Sequence, residues 1–150
     1  MTQEEKDLLL KDLSARLPYG VKLHCYSNVM VCIGPYTLNT IILDRIFNKD
    51  TEYVPFDEVK PYLFPLSSMT EEQKNEFNCL FPSIVANRDE YGFVNIISKS
   101  TKDKYEDTYN YRTRLSDWKK VIQWLLKNHF DIYGLIPMSL AIDATGLDIY

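Results

Sequence analysis

At Leu17-Pro18-Tyr19-Gly20 the hydrophobic period of this chain switches from that of a helix to that of a strand, so any fold it adopts must combine the two. Upstream, Thr2 and Glu5 have T-x-x-E spacing, in which a hydroxyl and a carboxylate satisfy helix-terminal amides reciprocally. Leu9, Leu10, Leu13 and Leu17 then trace an apolar face, and a helix is predicted over residues 2–17. Pro18 biases Leu17 out of the helical region, and Gly20 can take a turn with positive φ.

Downstream, Val21 to Tyr26 alternates apolar and polar residues as a half-buried strand does, and Ser27-Asn28 suits a tight turn. Val29 to Ile33 is a continuous apolar run bounded by Gly34-Pro35. Tyr36 to Phe47 predicts a third, interrupted strand and Glu52 to Phe56 a short fourth one, with Pro55 restricted to an edge or a strand end. The fold class predicted is α+β: a small antiparallel sheet over roughly residues 20–66, with an SH3-like barrel as its closed form, and helices packed around it. Asp57 to Leu66 reads as one helical turn and a proline-fixed connector. Thr70 and Gln73 form a second capping box, opening a helix that runs to about Leu80. Phe93 to Ser98 reads as a strand after a Tyr91-Gly92 turn. Ser116 is the expected cap of a last helix with the stripe Trp118, Val121, Ile122, Leu125 and Leu126, read as core. The tail from Ile132 to Tyr150 is expected to dock on the body.

At 150 residues, and with no linker or repeat, a single domain over 1–150 is expected. A net charge of −4 argues against general nucleic-acid binding, which neutralises several phosphates with Lys and Arg. The polar start Met1-Thr2-Gln3-Glu4-Glu5-Lys6 lacks the basic and apolar regions of a secretory signal, and no apolar run is long enough to span a bilayer. Cys25, Cys32 and Cys79 form no CxxC pair, and buried reduced thiols are the simplest reading. A cytoplasmic protein with no membrane association is expected.

The sequence shows no chemistry of a recognised kind. The two histidines, His24 and His129, are far apart and the cysteine spacings match no zinc module, so no metal ligand is nominated. His24 falls on the polar side of a strand, and His129 in a last helical turn, where a cationic imidazole suits the helix dipole. There is no G-x-S-x-G elbow, no G-x-G-x-x-G and no Walker-type loop, so no catalytic residue and no cofactor is nominated. Asp57-Glu58 and Glu71-Glu72 sit at helix starts, where they favour the dipole. One segment stands apart. Between Lys99 and Lys120, seven basic residues face four acidic ones, a surplus of three positive charges in an acidic chain, with Tyr105, Tyr109 and Tyr111 interleaved. Arg forks bind phosphate and Tyr stacks on bases or packs on peptides. Tyr105, Tyr109, Tyr111, Arg112 and Arg114 are therefore the candidate ligand-binding residues, on a loop between a strand and a helix; a solvated connector is the plain alternative.

Three stretches carry a resemblance: Ala15-Arg16-Leu17-Pro18-Tyr19-Gly20-Val21-Lys22, the run from Lys60 to Glu72, and His129 to Ile136 followed by Leu140-Ala141-Ile142-Asp143-Ala144. In that order they resemble a family of small uncharacterised proteins common in gut-anaerobe (Bacteroides-type) genomes and their phages. The resemblance covers somewhat under half of the chain and implies a context, short accessory proteins of phage or prophage origin, but no activity. The family tends to have Arg where Phe64 stands and Tyr-Arg where Ile132-Tyr133 stand, so no anion site is carried over to those positions. The leading expectation is a non-enzymatic binding protein that recognises a host protein or a small anionic ligand, a nucleotide immune signal being one form of it. A small hydrolase with a dispersed Asp/His site, and a virion structural or assembly component forming a homo-oligomer, are the alternatives.

Overall fold

The computed structural model describes residues 1–26, 28–37, 40–45, 51–82, 84–88, 94–98 and 107–150, with side chains at 1–26, 28–32, 53–82, 84, 96 and 117–150. The elements run α1 (Gln3–Arg16), β1 (Lys22–Cys25), β2 (Asn28–Thr37), β3 (Thr40–Arg45), β4 (Thr51–Pro55), β5 (Val59–Leu63), α2 (Glu71–Leu80), β6 (Ile84–Arg88), β7 (Val94–Ser98), α3 (Asp107–Lys127) and β8 (Ile142–Asp143). The fold is α+β. The chain divides into two compact units, Met1–Pro65 with Leu126–Tyr150, and Leu66–Leu125.

In the first unit, the capping box forms as the spacing demands: Thr2 N donates to the Glu5 carboxylate at 2.7 Å and Glu5 N to Thr2 Oγ1 at 3.2 Å. The buried face of α1 is Leu9, Asp12, Leu13 and Arg16, at i, i+3, i+4 and i+7. Leu10 and Leu17, expected on that face, only pack half-buried at its margin, because a helix presents one such row at a time. A 3-10 turn over Leu17–Tyr19 and Gly20 at φ 66° then end the helix.

The sheet has the order β4-β3-β2-β1-β5-β8. Its first four pairings are antiparallel and the last, β5 with β8, is parallel. It is open, with β4 and β8 at opposite edges, so the barrel does not form. Pro55 ends β4 at the edge where the missing donor is tolerated. At the other side residues from the tail, rather than β4, cover β5. Nor does Gly34-Pro35 end the second strand: β2 runs through it, and register shifts at Cys32/Gly34 and Pro35/Thr37 absorb the irregularity. The expected connector after Asp57 is itself a strand. Leu23 of β1 lies opposite Pro61, while β8 reaches only Tyr62 and Leu63, so Pro61 stands where one neighbour is missing. Ser27 and, of the expected third strand, residues 38, 39, 46 and 47 lie outside the described residues; Thr40–Arg45 form β3, while Tyr36 and Thr37 belong to β2. On β1, Leu23 and Cys25 point into a core with Leu9, Leu13, Val21, Met30, Val54, Phe56, Val59, Leu63, Leu135 and Leu140, and Lys22 and His24 point away from it.

In the second unit, Thr70 and Gln73 make the second capping box, and α2 buries Phe77. Phe81 and Trp124 stand edge-on to Phe77 at 4.9 and 5.3 Å between centroids. The predicted last strand is β7, paired antiparallel with β6, and the Tyr91-Gly92 turn lies outside the described residues. α3 starts at Asp107, so Ser116 is inside the helix rather than its cap; residues 107–115 contain neither Pro nor Gly to stop it. Val121, Trp124 and Leu125 are buried, whereas Ile122 is 43% exposed and falls off the predicted stripe. Among the described residues no helix is long and apolar enough to cross a membrane.

Candidate functional site

The basic-aromatic segment reaches the structure as a helix, not as a loop, from Asp107 onward. Tyr105 lies outside the described residues, and Tyr109, Tyr111, Arg112 and Arg114 are described only as backbone positions in α3. The helix does not gather the four on one side. At about 100° per residue, Tyr109 and Arg112 share the side of exposed Lys119, Lys120 and Gln123, with half-buried Asp117 at its margin. Arg114 falls on the side continued by buried Val121 and Leu125, and Tyr111 between that side and exposed Ile122. A binding face on α3 would thus be built from Tyr109, Arg112, Lys119 and Lys120, two of which the sequence reading left out.

A second polar cluster went unmarked in the sequence. Arg16 is fully buried and grips Asp12 with a bidentate pair, Nε to Oδ2 at 2.7 Å and Nη2 to Oδ1 at 2.8 Å. Its remaining N–H groups reach the main chain: Nη2 donates to Phe130 O at 2.7 Å and Nη1 to Leu126 O at 3.4 Å. The guanidinium therefore satisfies carbonyls beyond the helical ladder at the end of α3, as a C-terminal cation does. Burial pushes the Asp12 carboxyl up, against the hydrogen bonds and charge of Arg16, and the negative charge of Asp131 adds to the rise. Asp131 is consumed locally, its carboxylate accepting from the amides of Tyr133, Leu135 and Ile136 at 3.3, 2.9 and 2.9 Å. Both carboxylates and the arginine are engaged by groups of the chain itself, which marks this cluster as architecture.

Beside it, Tyr150 is seated in a cradle. Its ring stacks on His129 at 3.8 Å and 14°, with Phe64 tilted against it at 5.8 Å. The hydroxyl donates to Tyr62 O at 2.8 Å and accepts from Lys22 N at 3.2 Å. The Lys22 ammonium lies 5.4 Å from the ring centroid and donates to Ile149 O. β1 supplies Lys22, β5 supplies Tyr62, and the bridge of Phe64 with Phe130 brings Phe64 to the turn after α3. His129 holds left-handed φ 59° in that turn. Burial first, then the positive charges of Arg16 and Lys22, lower its imidazole to about 4. The expected cation is thus a neutral ring: desolvation outweighs the helix dipole. Burial raises the Tyr150 phenol to about 12, partly offset by the Lys22 amide, so the hydroxyl keeps its proton and donates.

His24 meets Tyr62 through Nδ1 at 3.0 Å, so both histidines have tyrosines rather than carboxylates against them. Cys25 and Cys32 are buried and in no disulfide, but Cys79 is exposed, which corrects the expectation that all three are buried. Among the described residues no group of three or more His, Cys, Asp or Glu is placed to hold a metal ion. Comparison with protein-family models, with curated proteins and with solved structures gives no match to this chain.

Proposed function

We propose that the protein is a non-enzymatic accessory protein of phage or mobile-element origin that recognises a host protein or a small anionic ligand. The observation that supports this reading is that the helical positions of Tyr109 and Arg112 fall on the side of α3 that carries exposed Lys119 and Lys120, in a chain of net charge −4. Opposite charge within a Debye length steers an anionic partner to such a face. Three cations are too few for strong non-specific nucleic-acid binding, which needs many phosphates neutralised. They suit a ligand with two or three negative charges, and a sponge for a nucleotide immune signal, acting against host defence in the cytoplasm, is the concrete form of the proposal.

The test is thermal stabilisation across a panel of mononucleotides and cyclic oligonucleotides at low and moderate salt. A ligand that raises Tm in the full-length protein is expected to lose most of that effect in Arg112→Ala and in Lys119→Ala/Lys120→Ala. Arg114→Ala, on the other side of the helix, is expected to keep it. A panel of anions that leaves Tm unchanged would sink the nucleotide form, and equal loss from Arg112→Ala and Arg114→Ala would sink the face.

A further inference from the structure

After β8, Ala144 N donates to Leu63 O and Thr145 N to the Asp143 carboxylate, both at 2.8 Å, and the chain then continues as a strap without regular structure. Leu147 N donates to Ala144 O at 3.0 Å, and Ile149 O accepts from the Lys22 ammonium. Leu147 is 47% exposed, and Gly146 turns the chain at φ 77° with open space where a Cβ would lie. Such a residue serves as a hinge because glycine occupies this conformation without strain. Beyond Leu147 the strap's contacts are those of Ile149 O and of the side chain of Tyr150, a residue that stays 42% exposed.

The cradle around Tyr150 matches the two ends of a phenol side chain, hydroxyl and ring. Its hydroxyl must donate to one carbonyl and accept from one amide at the same time, and its ring must fit between the imidazole of His129 and the ring of Phe64. One polar group of the cradle is nevertheless unserved: His129 is buried and its Nδ1 has no hydrogen-bond partner among the described residues. Buried nitrogens of this kind are uncommon in a finished core.

We infer that Lys22, Tyr62, Phe64 and His129 form a receptor site for a tyrosine on an extended segment of another protein, and that Leu147–Tyr150 fills it in cis as a displaceable strap. The partner offers the same chemistry as the strap: a free phenol, and a main-chain carbonyl one residue before it for the Lys22 ammonium. Displacement exchanges like contacts for like, so the balance between the two occupants is set by effective concentration and by whatever further contacts the partner makes. A phosphorylated tyrosine is excluded, because its ester oxygen has no proton for the Tyr62 carbonyl. The inference uses different residues from the α3 face, and either stands without the other.

The experiment follows the His129 imidazole by NMR in the full-length Tyr150→Ala protein while an amidated Gly-Leu-Asp-Ile-Tyr peptide is added. A saturable shift is expected, at concentrations about tenfold or more below those the unmodified protein needs, since the cis strap no longer competes. The same peptide ending in Ala or phosphotyrosine is expected to do nothing. A folded Tyr150→Ala protein that ignores the peptide, or answers the Ala peptide equally, would overturn the inference. Should that variant fail to fold, Tyr150→Phe keeps the ring and loses both hydroxyl hydrogen bonds. Its midpoint for the tyrosine peptide is then expected to fall below that of the unmodified protein, and equal midpoints would overturn the inference.

Discussion

At the scale of single residues, the stakes are highest where charge is buried. Asp12 and Arg16 are both fully buried, so removing one partner leaves the other uncompensated. Asp12→Ala is expected to destabilise the protein by roughly 3–5 kcal/mol, measured by urea unfolding. The double change Asp12→Leu/Arg16→Met is expected to cost less than the two single changes added together, because it also removes the desolvation penalty; strict additivity would refute the pairing. His129 supplies a pH dependence whose sign follows from its neutral state. Its folded value of about 4 lies below the ordinary 6.5, so between these values the unfolded chain binds a proton that the folded one does not. Its contribution is full above pH 6.5 and is lost as pH falls through 4, with a ceiling of about 3 kcal/mol. His129→Asn, which tolerates the left-handed backbone, is expected to flatten the stability curve over that window relative to the parent; parallel curves would show that His129 is not the group. Neither site was legible from sequence. The Asp12/Arg16 spacing was visible, but a charged i,i+4 pair on a helix is ordinarily a solvated one. His129 looked like a dipole-stabilised cation because sequence position does not reveal Tyr150 stacked upon it.

At the scale of elements, what depends on near neighbours was readable and what depends on distant ones was not. Both capping boxes stand where the spacing put them, since a cap is completed within four residues. Strand β1 alternates as expected because one face meets the core. By contrast, Pro61 signalled a connector, and only the two-residue reach of β8 explains why a strand can hold it. The parallel β5–β8 pair joins residues about eighty positions apart, and no local pattern announces it. In α3 the predicted stripe holds for Val121, Leu125 and Leu126, which are buried, and fails at Ile122. Ile122 follows Val121 directly, and composition alone does not tell which of two adjacent aliphatic residues faces inward. The difference has a measurable consequence. Leu125→Ala is expected to cost about 2–5 kcal/mol as a core truncation, while Ile122→Ala is expected to stay within about 0.5 kcal/mol of the parent. Comparable losses at both positions would mean that the helix is rotated from the orientation described. The candidate ligand residues shared this problem: interleaved in sequence, Tyr109 and Arg112 part from Tyr111 and Arg114 once the segment is wound into a helix.

At the scale of the whole molecule, the sequence predicts one domain, and the chain divides into two units, one of them continuous between Leu66 and Leu125 and the other closed from both ends of the chain. The closure of the outer unit is specific. Phe64 N donates to His129 O at 2.9 Å and Asp131 N to Phe64 O at 2.8 Å, so the segments that leave for Leu66–Leu125 and return from it are joined by an isolated bridge within the first unit. Each unit has apolar residues of its own, Leu9, Leu23, Val59 and Leu135 in one and Phe77, Phe81, Trp124 and Leu125 in the other. A cluster that is closed on itself can open without the other, with a free energy below that of global unfolding. Phe77→Ala removes the ring shared by Phe81 and Trp124 and is expected to cost about 3–5 kcal/mol locally. Native-state hydrogen exchange is expected to lose protection in α2 and the C-terminal half of α3 by orders of magnitude, while the amides of β1, β2 and β5 keep theirs. The reciprocal change, Leu23→Ala in β1, is expected to expose the six-stranded sheet first. If both substitutions lower protection equally over all elements, the two units unfold as one cooperative body, and the single domain predicted from the sequence is the better description.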